Sequence, residues 1–397
     1  MAKQSETRQS AAKQAAAPTL TKKQIARSRK ETRQLRIIWS VVAAFGVVIL
    51  AVLAFALIRE LIVVPNAAVA VVDGTKVSVK DYEDLLTFRR YSLHNAIANT
   101  QYQLSLMSTY TSTEESQFLS SYYEQQVQQY QVMLESASDS ALDELIEDTL
   151  IQKKAKEAGL SVSLEEARQS IRTDVESSLA SQASSITTTE TISGSTPVPT
   201  AIPAATVEAT IQTYVKNIGL SDSSFEHLVQ RSLLRTKVSD LLASQVVSTG
   251  LMIHVQLIVT DTQEVADTTK QRIEAGEDFA TVAKTVSGES QVQENGGDLG
   301  WLAVDQLTSS YGADLANAAT SQEIGTLAVV ESNSRFHILR VVERNESGTL
   351  PDSVISSRKS SALTDWLAAQ TEALGDRIQR LLQSSQIPPD PFATASP

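Results

Sequence analysis

Residues 276–301 read GEDFATVAKTVSGESQVQENGGDLGW, and this stretch organises the C-terminal half of the chain. Gly276 is placed to cap the helix before it, and Gly296-Gly297 permits a turn that a side chain would forbid. Trp301 is expected to anchor a core. Around this stretch, residues 251–344 give the pattern of a strand, two helices, the glycine turn, another helix and two strands. That order predicts an α+β domain.

Three blocks of residues follow one another in this part of the chain: GEDFATVAKTVS at 276–287, GGDLGW at 296–301 and SRFHILRV at 334–341. At this spacing they resemble the parvulin family of peptidyl-prolyl isomerases, and the resemblance places such a domain at 250–345. It implies catalysed rotation about X-Pro bonds, whose barrier is about 18–20 kcal/mol. Because the reaction makes and breaks no bond, shape and a few hydrogen bonds to the twisted amide suffice.

In the family, the site consists of an apolar cup for the proline ring and a polar group beside it. The resemblance matches these positions one by one to residues of this chain. The resemblance places the substrate-binding cup at Leu299, Leu307 and Tyr311. It places the catalytic polar group at His337, Ser334 and Glu289. Glu289 stands where the family usually has Asp or Cys, in a loop that is one residue longer than usual. No metal ion and no cofactor is expected.

The first strand of this domain departs from the family pattern. Counting back from Gly276 without a gap, the family's His-Ile-Leu motif falls on Leu257-Ile258-Val259, so Leu257 replaces the imidazole that usually faces His337. His254 does not substitute for it, because side chains three residues apart on a strand lie on opposite faces. We therefore expect an intact cup, a depleted hydrogen-bond network and weak isomerase activity.

The segment at 62–248 has the pattern of a mostly helical domain. A short apolar strand turns at Asp73-Gly74 and leads into a helix with a capping box at Ser78 and Asp81. The runs VAVVDGTKVSVKDYEDLL, ALDELIEDTLIQKKAKEAGLSVSLEEARQSI and FEHLVQRSLLRTKVSDLL resemble the N-terminal chaperone domain of SurA-type extracytoplasmic foldases. Residues 181–206 lose all periodicity and fill with Thr, Ser, Pro and Ala, which predicts a flexible insert.

Beyond the isomerase-like domain, helical periodicity through Leu363, Trp366 and Leu374 predicts a helix at 350–385, and a disordered tail follows at 386–397. In the resembling foldases a C-terminal segment packs onto the chaperone domain. Trp366 is the candidate for that contact. An independent amphipathic helix on the isomerase-like domain is the alternative.

The N-terminal segment has a charge and hydropathy pattern of its own. Residues 1–36 hold ten Lys or Arg and two Glu, a net charge of +8, whereas the rest of the chain carries −20. Residues 37–58 form a run of 22 without a charged side chain, about 33 Å long as a helix, which matches the hydrocarbon core of a bilayer. We expect a cytoplasmic basic tail, one transmembrane helix and an extracytoplasmic body at a bacterial plasma membrane.

Cleavage as a signal peptide is the alternative interpretation of this segment, because Ala54-Phe55-Ala56 resembles a processing site. The charged region and the apolar run are both longer than in a typical signal peptide, whose apolar core has about 7–15 residues. These lengths favour a retained signal anchor that contacts the lipid bilayer through 37–58.

Composition restricts the remaining functions. The 397-residue chain has no Cys and four His, which excludes disulfide frameworks, cysteine nucleophiles and thiolate metal sites. An acidic body without a phosphate-binding motif argues against nucleotide and nucleic-acid partners. The sequence favours a foldase that binds unfolded or newly secreted proteins and isomerises their X-Pro bonds. Two alternatives stay open: a non-catalytic holdase with a degenerate parvulin domain, and a scaffold at the secretion machinery.

Overall fold

The computed structural model describes residues 47, 50–55, 66–109, 114–187 and 202–393. The chain divides into two units, Met1–Ala67 and Ala68–Pro397. In the described ranges, no helix combines the length and the apolar character needed to cross a membrane. The basic tail predicted at 1–36 lies outside these ranges, as does the span predicted at 37–58 apart from its few described residues.

The second unit begins with a β-hairpin and a set of helices. The hairpin strands are β1 (Ala68–Val72) and β2 (Thr75–Ser78). The helices are α1 (Val79–Thr109), α2 (Glu114–Glu135), α3 (Ala137–Glu157), α4 (Leu164–Thr187), α5 (Ala204–Ile218) and α6 (Asp222–Ser244). The mostly helical pattern predicted for 62–248 agrees with these elements.

Local signals in the sequence explain where these elements begin and end. Asp73 and Gly74 both have positive φ, 48° and 82°, which gives the two-residue turn that suits the twist of the hairpin. Ser78 Oγ accepts a hydrogen bond from the Asp81 backbone N–H at 3.1 Å, so α1 begins at the predicted cap. Gly159, with φ of 68°, follows the end of α3 in the left-handed conformation that favours glycine.

The low-complexity segment is shorter than the sequence indicated. The insert was expected over 181–206, whereas α4 continues to Thr187 and α5 begins at Ala204. Ser and Ala are compatible with a helix when its start is well capped, and Ser163 accepts a hydrogen bond from Glu166 N at 3.1 Å at the start of α4. The part of the insert between these helices lies outside the described residues.

The second half of the unit is a four-stranded sheet with helices, in the α+β arrangement that was predicted. Its strands are β3 (Thr249–Thr260), β4 (Asp298–Ala303), β5 (Leu327–Ser332) and β6 (Arg335–Thr349). Its helices are α7 (Gln263–Glu274), α8 (Phe279–Val286), α9 (Ser290–Glu294), α10 (Val304–Tyr311) and α11 (Ala313–Ser321). The strands pair antiparallel in the order β4-β3-β6-β5.

The central strands β3 and β6 separate two apolar clusters. Val255, Leu257 and Val259 point to one side of β3, into a cluster completed by α10 and α11. Ile258 points to the other side, where it packs with Ile338 and with residues of α7 and α8. The candidate site belongs to the first cluster.

The C-terminal segment differs from its prediction. The helix predicted over 350–385 is α12 (Asp352–Leu374), which ends before Gly375 with its φ of 46°. Strand β7 (Ile378–Arg380) follows and pairs antiparallel with β1, which gives a three-stranded sheet in the order β2-β1-β7. Helical periodicity predicted a longer helix, because a local pattern carries no information about pairing with a distant strand. The disorder predicted from residue 386 is wrong for the described part of the tail, which contacts α1.

Helix α12 packs on α6 and α3 of the helical domain, as the foldase resemblance implied. Leu367 of α12 is buried, and it lines a cavity together with Glu147 of α3 and Arg235 of α6. Trp366, the predicted contact residue, is only partly buried. Arg358 also joins α12 to the isomerase-like domain, because its Nη2 lies 2.6 Å from Asp305 Oδ1.

Replacing Gly297 tests the packing at the glycine turn. A Cβ on Gly297 would lie 2.7 Å from a Phe279 ring atom and 2.8 Å from the Leu257 carbonyl oxygen, and its φ is +76°. We expect Gly297→Ala to lower the free energy of unfolding by about 2–5 kcal/mol, the combined cost of a left-handed residue and overpacking.

The matched control is Gly300→Ala, which has φ of +69° but no atom within 4 Å of the added Cβ. It should lose only about 1–2 kcal/mol. Urea unfolding of both variants measures the difference, and equal losses would contradict the packing argument.

Candidate functional site

The predicted site residues lie on one face of the β3–β6 pair. His337 on β6 is directly opposite Val259, and Leu339 is directly opposite Leu257. Leu257 is therefore a diagonal neighbour of His337 on the same face, at a typical separation of about 7–8 Å. The sequence suggested that Leu257 faces His337, whereas the residue paired with His337 is Val259.

Tyr311, the last residue of α10, packs against His337. The two rings are 6.0 Å apart between centroids and meet edge to face, at 77°. His337 is 3% exposed, and its Nδ1 is buried without a hydrogen-bond partner among the described residues. Burial lowers the pKa of His337 and raises the pKa of the Tyr311 hydroxyl, because it disfavours the charged form of each group. Both side chains are therefore neutral near pH 7.

Leu299 reaches the same cluster because of a β-bulge. Val255 pairs with Gly300 and Gln256 pairs with Asp298, so Leu299 has no partner on β3. Such a bulge turns a side chain out of the regular alternation. The side chain of Leu299 packs, partly exposed, against the cluster that holds Leu257.

The third cup residue, Leu307, is completely buried within the same cluster. It forms the base of the site beneath Leu299 and Tyr311, which are the partly exposed members. Leu307 and His337 are both buried, so the side chains that a ligand meets from solvent are Leu299 and Tyr311.

The two other polar residues of the prediction occupy different positions. Glu289 precedes α9 and lies close enough to Tyr311 for its negative charge to contribute to the raised pKa of that hydroxyl. Ser334 lies in the exposed turn between β5 and β6, where Asn333 and Ser334 have φ of 51° and 61°. The structure brings His337 and the three cup residues together, places Glu289 at their margin and leaves Ser334 in the hairpin turn.

The opposite face of β3 carries the histidine that the strand alternation excluded from the site. His254 Nε2 lies 2.8 Å from Asp298 Oδ1, and its ring packs on Trp301 at 5.6 Å. Asp298 Oδ1 also accepts a hydrogen bond from Gly300 N, so His254 and Asp298 stabilise the bulge from the face opposite the candidate site. The expectation that Trp301 anchors a core is wrong, since the side chain is 42% exposed.

Ser332 supports the site and was missed in the sequence. Its buried hydroxyl donates a hydrogen bond to the Tyr311 carbonyl oxygen at 2.6 Å. Gly312 makes this approach possible, because a Cβ there would lie 2.4 Å from Ser332 Oγ. A glycine directly after the predicted Tyr311 was the available signal for close backbone packing.

Comparison with known proteins defines the class of this domain. Residues 235–345 match the family model described as a PPIC-type PPIase domain. The chain therefore carries a peptidyl-prolyl isomerase domain of the PPIC, or parvulin, type, and the resemblance noted in the sequence is confirmed.

The relatives are foldases and chaperones. The foldase protein PrsA of Clostridium kluyveri is 33% identical over 136 residues, which cover 34% of this chain and 38% of the relative. The chaperone SurA of Pseudomonas fluorescens is 33% identical over 103 residues, covering 26% of this chain and 22% of the relative. The chain thus matches well under half the length of these relatives.

Two solved structures give weaker similarity. The crystal structure of the peptidylprolyl isomerase PrsA from Bacillus anthracis has a TM-score of 0.30 at 19% identity, covering 58% of this chain and 96% of that one. The solution structure of the parvulin domain of PpiD from E. coli has a TM-score of 0.22 at 29% identity, covering 25% of this chain and 92% of that domain.

The buried imidazole predicts a pH-dependent stability. The pKa of His337 is lowered in the folded chain, so the unfolded chain binds this proton more tightly. Its contribution to stability is complete above the ordinary pKa of about 6.5 and is lost as the pH falls from there toward the folded pKa. Urea unfolding between pH 7.5 and 5 should show a smaller loss of stability for His337→Gln than for the wild type. Parallel profiles would rule out this origin.

Proposed function

We propose that the chain is a membrane-anchored, extracytoplasmic foldase that binds unfolded proteins and isomerises their X-Pro bonds. The observation that carries the enzymatic part is the packing of Tyr311 against a neutral, buried His337 at the edge of an apolar cluster. This arrangement offers a prolyl ring an apolar contact and offers the adjacent amide a polar group, with no charge to desolvate.

The proposed chemistry is stabilisation of a twisted amide. Leu299 and Tyr311 hold the proline ring, and Leu307 supports it from below. Rotation removes the amide resonance and leaves a more basic nitrogen and altered carbonyl charge, which a correctly placed hydrogen-bonding group stabilises. The buried Nδ1 of His337 has no hydrogen-bond partner among the described residues and would serve this purpose once neighbouring side chains move to uncover it. Glu289 and Ser334 remain candidate contributors at the margin of the site.

Leu257 is the reason to expect weak activity. The position diagonal to His337 carries an aliphatic side chain, so the imidazole receives no side-chain hydrogen bond from this position of β3, and its Nδ1 has no partner among the described residues. A polar group with fewer hydrogen bonds to hold it is less preorganised and stabilises a transition state less. The cup residues retain their apolar character, so substrate binding is affected less than turnover.

The client-binding part of the proposal rests on the helical domain. Helices α1 and α2 pack together and expose large apolar side chains, among them Tyr102, Phe118, Tyr122, Val132 and Met133. A cavity of about 340 Å³ lies beside them, lined in part by Phe88 and Leu93. Exposed apolar patches of this kind mark interaction sites, and Met and Tyr suit surfaces that accept varied partners.

Location is the third part of the proposal. A basic segment at 1–36 followed by an apolar run at 37–58 favours a single-pass anchor with a cytoplasmic N-terminus. The partners are then unfolded or newly secreted proteins with X-Pro bonds, the lipid bilayer and components of the secretion machinery.

A non-catalytic holdase is the second candidate. The features that favour it are Leu257 on the first strand and the burial of His337 and Leu307 beneath their neighbours. In that case the isomerase-type domain binds client segments without turning over their X-Pro bonds. A scaffold at the secretion machinery is the third and has no structural feature of its own in its favour.

Parallel assays of residues 62–397 separate these candidates. We expect measurable X-Pro isomerisation of a tetrapeptide together with suppression of client aggregation. Tyr311→Ala and His337→Ala should each lower the isomerisation rate by about tenfold, equivalent to about 1.4 kcal/mol of transition-state stabilisation. Leu257→His should raise the rate, because it restores an imidazole diagonal to His337.

The matched control is His254→Ala, which removes an imidazole from the opposite face of β3. It should leave the isomerisation rate unchanged. A wild-type rate equal to that without protein, with aggregation still suppressed, would refute the enzymatic part and favour the holdase. Loss of both activities would favour the scaffold.

A further inference from the structure

The end of the chain is held on the helical domain by a compact set of contacts. Residues 387–392 read IPPDPF and lie against α1. Arg90 Nη1 donates a hydrogen bond to the Pro388 carbonyl oxygen at 2.8 Å, and His94 Nε2 lies 2.8 Å from Asp390 Oδ2. The Phe392 ring meets the Tyr91 ring at 5.4 Å between centroids.

These three contacts use the means by which proteins recognise extended peptides. Arg90 donates a hydrogen bond to a main-chain carbonyl, a group that any peptide offers. His94 contacts a carboxylate, and Tyr91 packs against an aromatic ring. Prolines restrict the free tail and so reduce the entropy lost when it is ordered. Asp390 Oδ1 accepts a hydrogen bond from Phe392 N at 2.9 Å, which further preorganises the anchor.

The surface that receives the tail is connected by side-chain packing to the core of the helical domain. Tyr91 packs on Tyr214 at 5.8 Å, and Tyr214 packs on Phe225 at 5.7 Å. Phe225 belongs to the buried cluster around Ile218. The aromatic anchor of the tail therefore joins a continuous row of rings that starts in the core of the helical domain, so Tyr91 has packing partners other than the tail.

We propose that the α1 surface at Arg90, Tyr91 and His94 is a binding site for extended, proline-rich segments that carry a carboxylate two residues before an aromatic side chain. The chain's own tail at 387–392 occupies this site as an intramolecular ligand, and an external client segment of the same chemistry displaces it. This site extends the proposed foldase function. It rests on that function in one respect, which is that the external segment is called a client. The site is separate from the one at His337.

The tether makes the tail a strong competitor. Only seven residues separate the end of β7 at Arg380 from Pro388, and β7 itself is fixed to β1. Short tethers give effective concentrations in the millimolar range. An external peptide with a dissociation constant of about 10–100 µM for the open site should bind the intact chain about 10- to 100-fold more weakly.

The test uses the full chain in mild detergent and a fluorescein-labelled peptide of residues 387–393, IPPDPFA, followed by fluorescence anisotropy. A chain that stops after Gln386 should bind the peptide at least tenfold more tightly than the intact chain. The full-length variant Phe392→Ala should also gain binding, which keeps the test valid if the truncation unfolds. Adding Tyr91→Ala to either open form should abolish binding.

Two controls make the result specific. A peptide with Phe392→Ala should not bind the open forms, and Trp301→Ala, which removes an exposed aromatic ring from the isomerase domain, should leave peptide binding as in the intact chain. The proposal is overturned if neither open form binds more tightly than the intact chain, or if the altered peptide binds equally well. X-Pro isomerisation measured on the same samples reports on the His337 site independently, so loss of one function is distinguishable from loss of the other.

Discussion

The alternation of side chains along β3 is the constraint on which the isomerase domain depends. Residues 257–259 of this strand enter two different apolar clusters in alternation, so each of them has only one possible face. Leu257 shares a face with His337 and Tyr311, and His254 does not. A slip of one residue would place His254 and Gln256 in the first cluster and move Leu257 to the opposite face. The chemistry available at the site is therefore fixed by the register between β3 and β6, before any individual contact is considered.

Much of this could be inferred from the sequence because it depends on local rules. Capping residues such as Ser78, turn glycines and strand parity act over a few residues, and the structure agrees with them. The bulge at Leu299 was not foreseen, since it arises from pairing with another strand. The exposure of Trp301 could not be inferred for the same reason. A large aromatic residue suggests a core position, but its exposure depends on which face of the sheet it occupies next to the bulge.

The C-terminal segment shows the same limit over a longer distance. Leu374 and Ile378 continue a helical spacing, yet the chain leaves the helix at Gly375 and forms a strand. The reason is the unpaired edge of β1, which offers backbone hydrogen-bonding groups that only a distant segment satisfies. The tail beyond it is rich in proline and was expected to be disordered, but Tyr91 and His94 provide partners that composition alone does not reveal.

The pairing of β1 with β7 also has a consequence for biosynthesis. The two strands are separated by about 300 residues of chain, which a ribosome takes roughly 15–60 s to add. During that interval the edge of β1 that later pairs with β7 has no partner strand, although the turn and cap of the hairpin are complete. Strand β7 is synthesised after every strand of the isomerase domain, so the helical domain reaches its final topology later than the isomerase domain does. A nascent molecule of this protein therefore passes through a stage in which it needs the same protection against misassociation that we propose it gives to others.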